Sequence, residues 1–393
     1  MIFSLTKENK NILVINISSS SVNCFVLNTK ENGTKEISSS THSRLPLLES
    51  PDFKHIERHT KKAIRELSEE LYKNYPAFKP GVVFVVVSSP WYSSETKVVK
   101  VSRKDPFVIT KDLLEGVMAD EVELFLKKIG KNSSAAAEEM EILDKEIMRF
   151  VVNGYPIKNP LKKTTSELSF SIYLSAVKKN FLNNLQETLS HFFGSAEIKI
   201  VSEPFALYKI LSEMVNSEEG FLVVDVGGEV TEVYLIRNGI LEDVKNFSWG
   251  ENLVVRRLAS SMKVELGEAL SFFKADNSGD LKEGMSEKIA PAVEGVCTEW
   301  QNFLSESLSE MGKNVPLPQT LILLGGIAGS DVLKKCVNSP DFSSFTILGK
   351  PFNVVTLPPE SFESKISFSG VDKDKMTTPL LLALGASRYA EKV

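Results

Sequence analysis

The chain has 393 residues, 42% hydrophobic and 25% charged, with 46 basic and 51 acidic residues and a net charge of −5. This is the make-up of an ordinary globular protein too long for a single core, so two or more lobes are expected. No lysine or arginine run suggests nucleic acid, the longest apolar run (82–87) is too short to cross a bilayer, and residues 1–10 do not read as a signal peptide. Cys24, Cys297 and Cys336 are scattered and form no metal-type pair, so a cytoplasmic address is expected.

In chain order, apolar patterning predicts a strand–turn–strand hairpin over 12–27 and a helix over 55–72, with Ile56, Ala63, Ile64, Leu67 and Leu71 on one face. Strands are expected at 82–87 and 97–101, a helix at 111–129, a loose polar segment at 130–139, and strands at 146–153 and 168–174. A helix at 178–193 leads to a strand at 197–201, a turn at Glu203 and Pro204, and a short helix at 205–214. A second hairpin follows at 221–236, then helical patterning to about 311, a buried strand at 320–324, glycines at 325–329, and a last helix at 379–390. Strands alternating with helices make this an α/β chain.

The second hairpin carries the clearest chemistry. Asp225 follows an apolar strand, and Gly227 and Gly228 let backbone N–H groups approach a ligand. A carboxylate in that setting suits a magnesium-bound phosphate. The first hairpin echoes it without a gap: Asn16 falls on Asp225, and Ser18 and Ser19 fall on Gly227 and Gly228. Either hairpin is also a plain turn when taken alone, the serine run a solvated turn, and Glu203 a simple helix start. His55 and His59 lack the third ligand of a zinc site and read as a solvated helix face. Cys24, within an apolar strand, reads as core packing.

Together these pieces resemble the bacterial actin homologues, and within them the FtsA and PilM branch. Asp225, Gly227 and Gly228 fit that family's second phosphate motif, and Leu324 to Gly329 fit its adenosine motif. Ser202, Glu203, Pro204 and Ala206 look like its connecting motif, and 247–253 like the stretch that follows its second hairpin. The segment 82–165, with its turn at 152–160, is similar to the subdomain that this branch carries as an insertion. The resemblance implies an actin-like (ribonuclease H-like, duplicated) two-lobed fold. The first lobe would comprise 1–81, 166–204 and 379–393; the inserted FtsA/PilM-type subdomain would be 82–165; the second lobe would be 205–378, with a helical part near 256–318.

It also implies a site. Glu203 would position the attacking water and Asp225 would hold magnesium. Asn16, Ser18, Ser19, Asp225, Gly227, Gly228, Thr231, Gly325, Gly326 and Ala328 would line an ATP cleft. The chain departs from the family at Asn16 and Ser18, where an acid and a glycine are usual. Glu229 and Val230 replace a glycine and a threonine, and Leu270 replaces a glutamate. A carboxylate within about 4 Å of a phosphate costs roughly 4 kcal/mol per charge pair at an effective dielectric near 20. The leading expectation is therefore an FtsA-like cell-division scaffold with weak or no ATP hydrolysis. It would associate weakly, head to tail, with like subunits and would reach the inner face of the membrane through partners, with no membrane span of its own. The alternatives are a PilM-like pilus-assembly scaffold clasping a cytoplasmic peptide of a membrane protein, and an active magnesium-dependent ATPase.

Overall fold

The computed structural model describes residues 11–30, 35–132, 139–194, 196–215, 217–278, 280, 283–326, 331–357, 361, 366–369 and 377–391. The chain opens with β1 (Asn11–Ile17), β2 (Ser21–Thr29), β3 (Lys35–Arg44), α1 (Phe53–Asn74) and β4 (Val82–Val87). Next come β5 (Tyr92–Val108), α2 (Lys111–Asn132), β6 (Met140–Val152), β7 (Tyr155–Ile157), β8 (Thr164–Lys178), α3 (Lys179–Phe193), β9 (Glu197–Ser202) and α4 (Glu203–Met214). The second half holds β10 (Phe221–Val226), β11 (Thr231–Arg237), β12 (Ile240–Phe247), α5 (Glu251–Met262), α6 (Leu266–Ser278), α7 (Glu283–Met311) and β13 (Thr320–Gly325). It closes with α8 (Asp331–Val337), β14 (Asn353–Thr356), β15 (Ile366–Phe368) and α9 (Thr377–Glu391).

Two sheets repeat one plan. The first has the order β15-β3-β2-β1-β4-β9 and the second β12-β11-β10-β13-β14. In each, an antiparallel hairpin continues through its leading strand into two parallel strands. The repeat extends to register: Asn16 pairs with Asn23 in one hairpin, as Asp225 pairs with Glu232 in the other. Both faces of each sheet are covered, which is why these strands read as unbroken apolar runs. On β1, Ile12 and Val14 face inward with β10 residues such as Val223, while Leu13, Ile15 and Ile17 face α1 and α3. Helices α4 and α9 contribute Leu207, Ile210, Leu381 and Leu384 to that inner core, so the two lobes share it. A separate core covers the outer face of the second sheet with α5, α6, α7 and α8.

A third sheet, β5-β8-β6-β7, carries α2 on one face. Its limits differ from the expected 82–165. Strand β4 belongs to the first sheet as a central parallel strand, and β8 belongs to the third, running unbroken across 166 to Lys178. The short β15 adds to the edge of β3, which moves 366–368 from the second lobe to the first sheet. Nor does the third sheet stand free. Asp144 on β6 accepts from the Ser202 amide at 3.0 Å and its hydroxyl at 2.6 Å, and Thr96 on β5 donates to the Glu242 carbonyl on β12 at 2.6 Å. The expected loose segment is shorter at its start, because α2 continues to Asn132; residues 133–138 lie outside the described residues. Among the described residues no helix is long and apolar enough to cross a membrane.

Candidate functional site

The two hairpin turns meet face to face. The Glu229 amide donates to Ser19 Oγ at 3.0 Å, and a Cβ added to Gly228 would lie 2.1 Å from Ser20 Cβ. Behind the second turn, the start of α5 is bound to it: the Glu251 and Asn252 amides donate to the Gly227 and Gly228 carbonyls, each at 2.9 Å. Gly250 permits this approach, since a Cβ there would lie 2.3 Å from the Gly228 oxygen. Of the turn's own amides, that of Glu229 is taken by Ser19 and that of Gly227 by the Val230 carbonyl, so neither is open to an anion.

Glu229 turns away from the cleft. Arg256 grips its carboxylate with two bonds of 3.0 and 2.6 Å, and Asn252 adds a third at 2.8 Å. Arg256 also donates to the Leu48 carbonyl of the first lobe at 3.3 Å, and Arg44 of that lobe pairs with Glu251 at 2.5 Å. The lobes are thus latched across the cleft mouth by two arginines.

Deeper in lie three buried carboxyl groups, Glu203, Asp225 and Glu232. Glu203 and Asp225 share a hydrogen bond, and Glu203 also bonds the Ser88 hydroxyl. Asn16, across from them, donates to Ser88 Oγ at 3.4 Å and accepts from Asn23 at 3.3 Å. Glu232 accepts from the Ser89 hydroxyl at 2.8 Å and from the Tyr92 hydroxyl. Burial, then the charges of Asp225 and Glu232, pushes Glu203 well above the usual carboxylate range. Burial raises Asp225 to about 7 and also raises Glu232. Among the described residues no lysine or arginine offsets these shifts, so burial favours the protonated form of Glu203 beside Asp225.

The other expected site residues fall as follows. Ser18 closes its own turn, accepting from the Ser21 amide at 3.1 Å. Thr231 is buried in the second lobe, donating to the Trp249 carbonyl at 2.7 Å and accepting from the Trp300 indole at 3.3 Å; its hydroxyl is turned from the cleft. Gly325, at φ +107°, packs against β10, and a Cβ there would lie 2.1 Å from the Val226 oxygen. Gly326 lies beside Glu251. Ala328 lies outside the described residues. Among the described residues no group of three or more His, Cys, Asp or Glu side chains is arranged to hold a metal ion. In this closed arrangement the residues do not fit a magnesium-bound triphosphate: Ser20 stands against Gly228, Ser19 takes the Glu229 amide, and Asp225, the expected magnesium acid, is buried beside Glu203. Sequence reasoning missed Glu232, Tyr92, Ser89, Arg44 and Arg256. Only Glu232 had a signal, as the counterpart of Asn23 in the echo.

A second feature opens on the outside. Phe53 and Glu57 of α1, Trp91 and Tyr92 at the start of β5, Met140, Lys178 and Phe181 line a small groove at the junction of the first lobe and the third sheet. Trp91 stacks on Phe181 at 4.7 Å between ring centres, and Lys178 Nζ lies 4.6 Å from the centre of the Phe53 ring. The groove floor is wired to the cleft. The Trp91 indole donates to the Ser18 carbonyl at 3.2 Å, and Tyr92 reaches Glu232.

No protein-family model and no curated protein sequence matches the chain. Among solved structures, a chain of the PilM-PilN type IV pilus biogenesis complex is similar at 16% identity, with a TM-score of 0.67, covering 96% of this chain and 98% of that one. The ethanolamine utilization protein EutJ from Carboxydothermus hydrogenoformans follows at 13% identity and a TM-score of 0.44, covering 95% and 88%. A Bacteroides thetaiotaomicron protein with an actin-like ATPase fold and unknown function gives 10% and 0.44, covering 98% and 99%. The chain has the two-lobed actin-like fold, and shares it over nearly its full length with the PilM-PilN structure.

Proposed function

We propose that this protein is a PilM-like scaffold that clasps a short cytoplasmic segment of a membrane protein of the pilus-assembly class. The observation that carries the reading is the groove between α1 and the third sheet. Four of its nine lining residues are aromatic (Phe53, Trp91, Tyr92 and Phe181, the last three nearly buried), and it carries one acid and one base to orient an apolar side chain that enters. The fold likeness supports the pilus-type reading over the division-type one. The latched cleft supports a scaffold over an ATPase, because the phosphate side is filled by the protein's own groups. Trp91 and Tyr92 give the groove a route to the lobes: an occupant that moves either ring also works on the first hairpin turn or on Glu232.

The test is fluorescence anisotropy with labelled synthetic peptides copied from the cytoplasmic ends of pilus-assembly membrane proteins of the same genome. One of them is expected to bind, and Phe53→Ala and Lys178→Glu should each weaken it roughly tenfold, the scale of losing one well-packed contact. Binding that ignores both substitutions, or no binding by any such peptide, would overturn the assignment.

A further inference from the structure

We propose that the end of the third sheet farthest from the groove is a contact surface for anionic lipid headgroups. The last row shared by the three long strands is Val101, Leu168 and Val152. Beyond it three loops emerge together: the interruption in β5 between Ser102 and Phe107, the β6–β7 turn at Asn153 and Gly154, and the connection 158–163. They are tied into one unit. Asn153 donates to the Glu167 carbonyl and accepts from Thr165, and the Ile109 and Lys162 amides bond the Lys163 and Ile109 carbonyls at 2.9 Å.

On this unit Arg103, Lys104, Lys158, Lys162 and Lys163 are all exposed, against Asp105 and Glu167. The surface is basic on a chain whose net charge is −5. Among the described residues none of the four lysines has a carboxylate partner; Arg103 instead covers the Phe107 ring at 4.8 Å. Three apolar side chains stand exposed among them: Tyr155 at 75%, Val108 at 51% and Leu161 at 41%. The sequence hides this gathering, because the basic residues come from segments some fifty residues apart that only sheet pairing brings together.

Exposed aliphatic and tyrosine side chains at the strand ends (Val108, Tyr155) and on the connection (Leu161), beside long cations, match the chemistry of a bilayer interface. Tyrosine sits at the headgroup level, and each lysine near an anionic surface gains attraction while its stem stays apolar. An acidic peptide is the poorer match, since it would pair with the cations but leave the exposed Tyr155, Val108 and Leu161 without an apolar partner. The groove lies at the other end of the sheet, where Tyr92 pairs with Val177 and Met140 with Lys178, about 30 Å away along the strands. A protein docked by these loops would hold its groove at that distance from the bilayer, within reach of a tail of roughly ten extended residues.

The test is co-sedimentation of the full chain with vesicles of phosphatidylcholine alone and with about one-third phosphatidylglycerol. The vesicles carry no protein, so the outcome is independent of the groove. The chain should pellet with the anionic vesicles only, and release as salt shortens the screening length. The triple variant K158E/K162E/K163E should lower binding at least about tenfold and Tyr155→Ala several-fold, with unchanged circular dichroism. Equal binding to neutral vesicles, wild-type binding by the triple variant, or no vesicle binding with capture of poly-glutamate or an oligonucleotide instead, would each overturn the proposal.

Discussion

Asp225→Asn is expected to stabilise this protein near neutral pH, by roughly 2–4 kcal/mol. Asp225 is buried, its carboxyl is raised from 3.8 to about 7, and burial is the main cause. Between those two values the unfolded chain has already released a proton that the native Glu203–Asp225 pair still binds. Stability must therefore fall as pH rises from about 4 through about 7, and Glu203, which burial and the charges of Asp225 and Glu232 raise well above the usual carboxylate range, extends the fall further. Asparagine keeps an oxygen to accept from Glu203 and Thr378 but binds no proton, so the part of that fall due to Asp225 should vanish and the part due to buried Glu203 and Glu232 should remain. Urea unfolding at pH 5 and pH 8 reads both effects. A variant less stable than wild type at pH 8 would mean that the negative charge is needed there, as a cation site would require. The first hairpin already carries this change: Asn16 occupies the equivalent place, and Asn23 donates to it where Glu232 stands beside Asp225.

Arg256→Leu should act in the opposite direction, costing about 3–5 kcal/mol. The Arg256 and Glu229 side chains are only 13% and 12% exposed, and the pair is bidentate. Removing the arginine leaves a nearly buried carboxylate with Asn252 as its remaining partner and takes the donor from the Leu48 carbonyl. Replacing both charges, as Arg256→Leu with Glu229→Leu, should recover most of the loss, because the stranded charge is the larger part of it. Equilibrium unfolding of the two singles and the double measures this coupling. A small effect from the single, with no recovery in the double, would show that the pair contributes little to holding the lobes.

The fold was legible because its central strands are covered on both faces. Leu13, Val14 and Ile15 or Val223 and Val224 can only be interior strands, and the repeat of one hairpin in the other fixed the duplicated plan. The third sheet was read less well. On β5 buried and exposed residues mix with charges, as in Lys97 to Lys104, so only its middle read as a strand. Three-residue β15 has too few residues for any period to show, and its place depends on an edge offered by β3. At the site, the sequence located the hairpin turns and the acids at 203 and 225, which are local motifs. The latches were invisible: Arg44 and Glu251, or Arg256 and Leu48, meet only through the closure of two lobes. Thr231 fits the motif by position, yet its hydroxyl is taken by Trp249 and Trp300, residues no local pattern couples to it.

A cleft that the protein closes with its own side chains should not support phosphoryl transfer. Phosphate release from ATP and magnesium, measured for wild type beside Glu203→Gln, tests it most directly. Transfer depends on positioning and charge stabilisation, and each ~1.4 kcal/mol lost is tenfold in rate. Here burial favours the protonated form of Glu203 beside Asp225, and the turn amide of Glu229 is held by Ser19. The account predicts release at the level of buffer for both proteins. Sustained turnover by wild type that disappears in Glu203→Gln would contradict it and make this protein an ATPase.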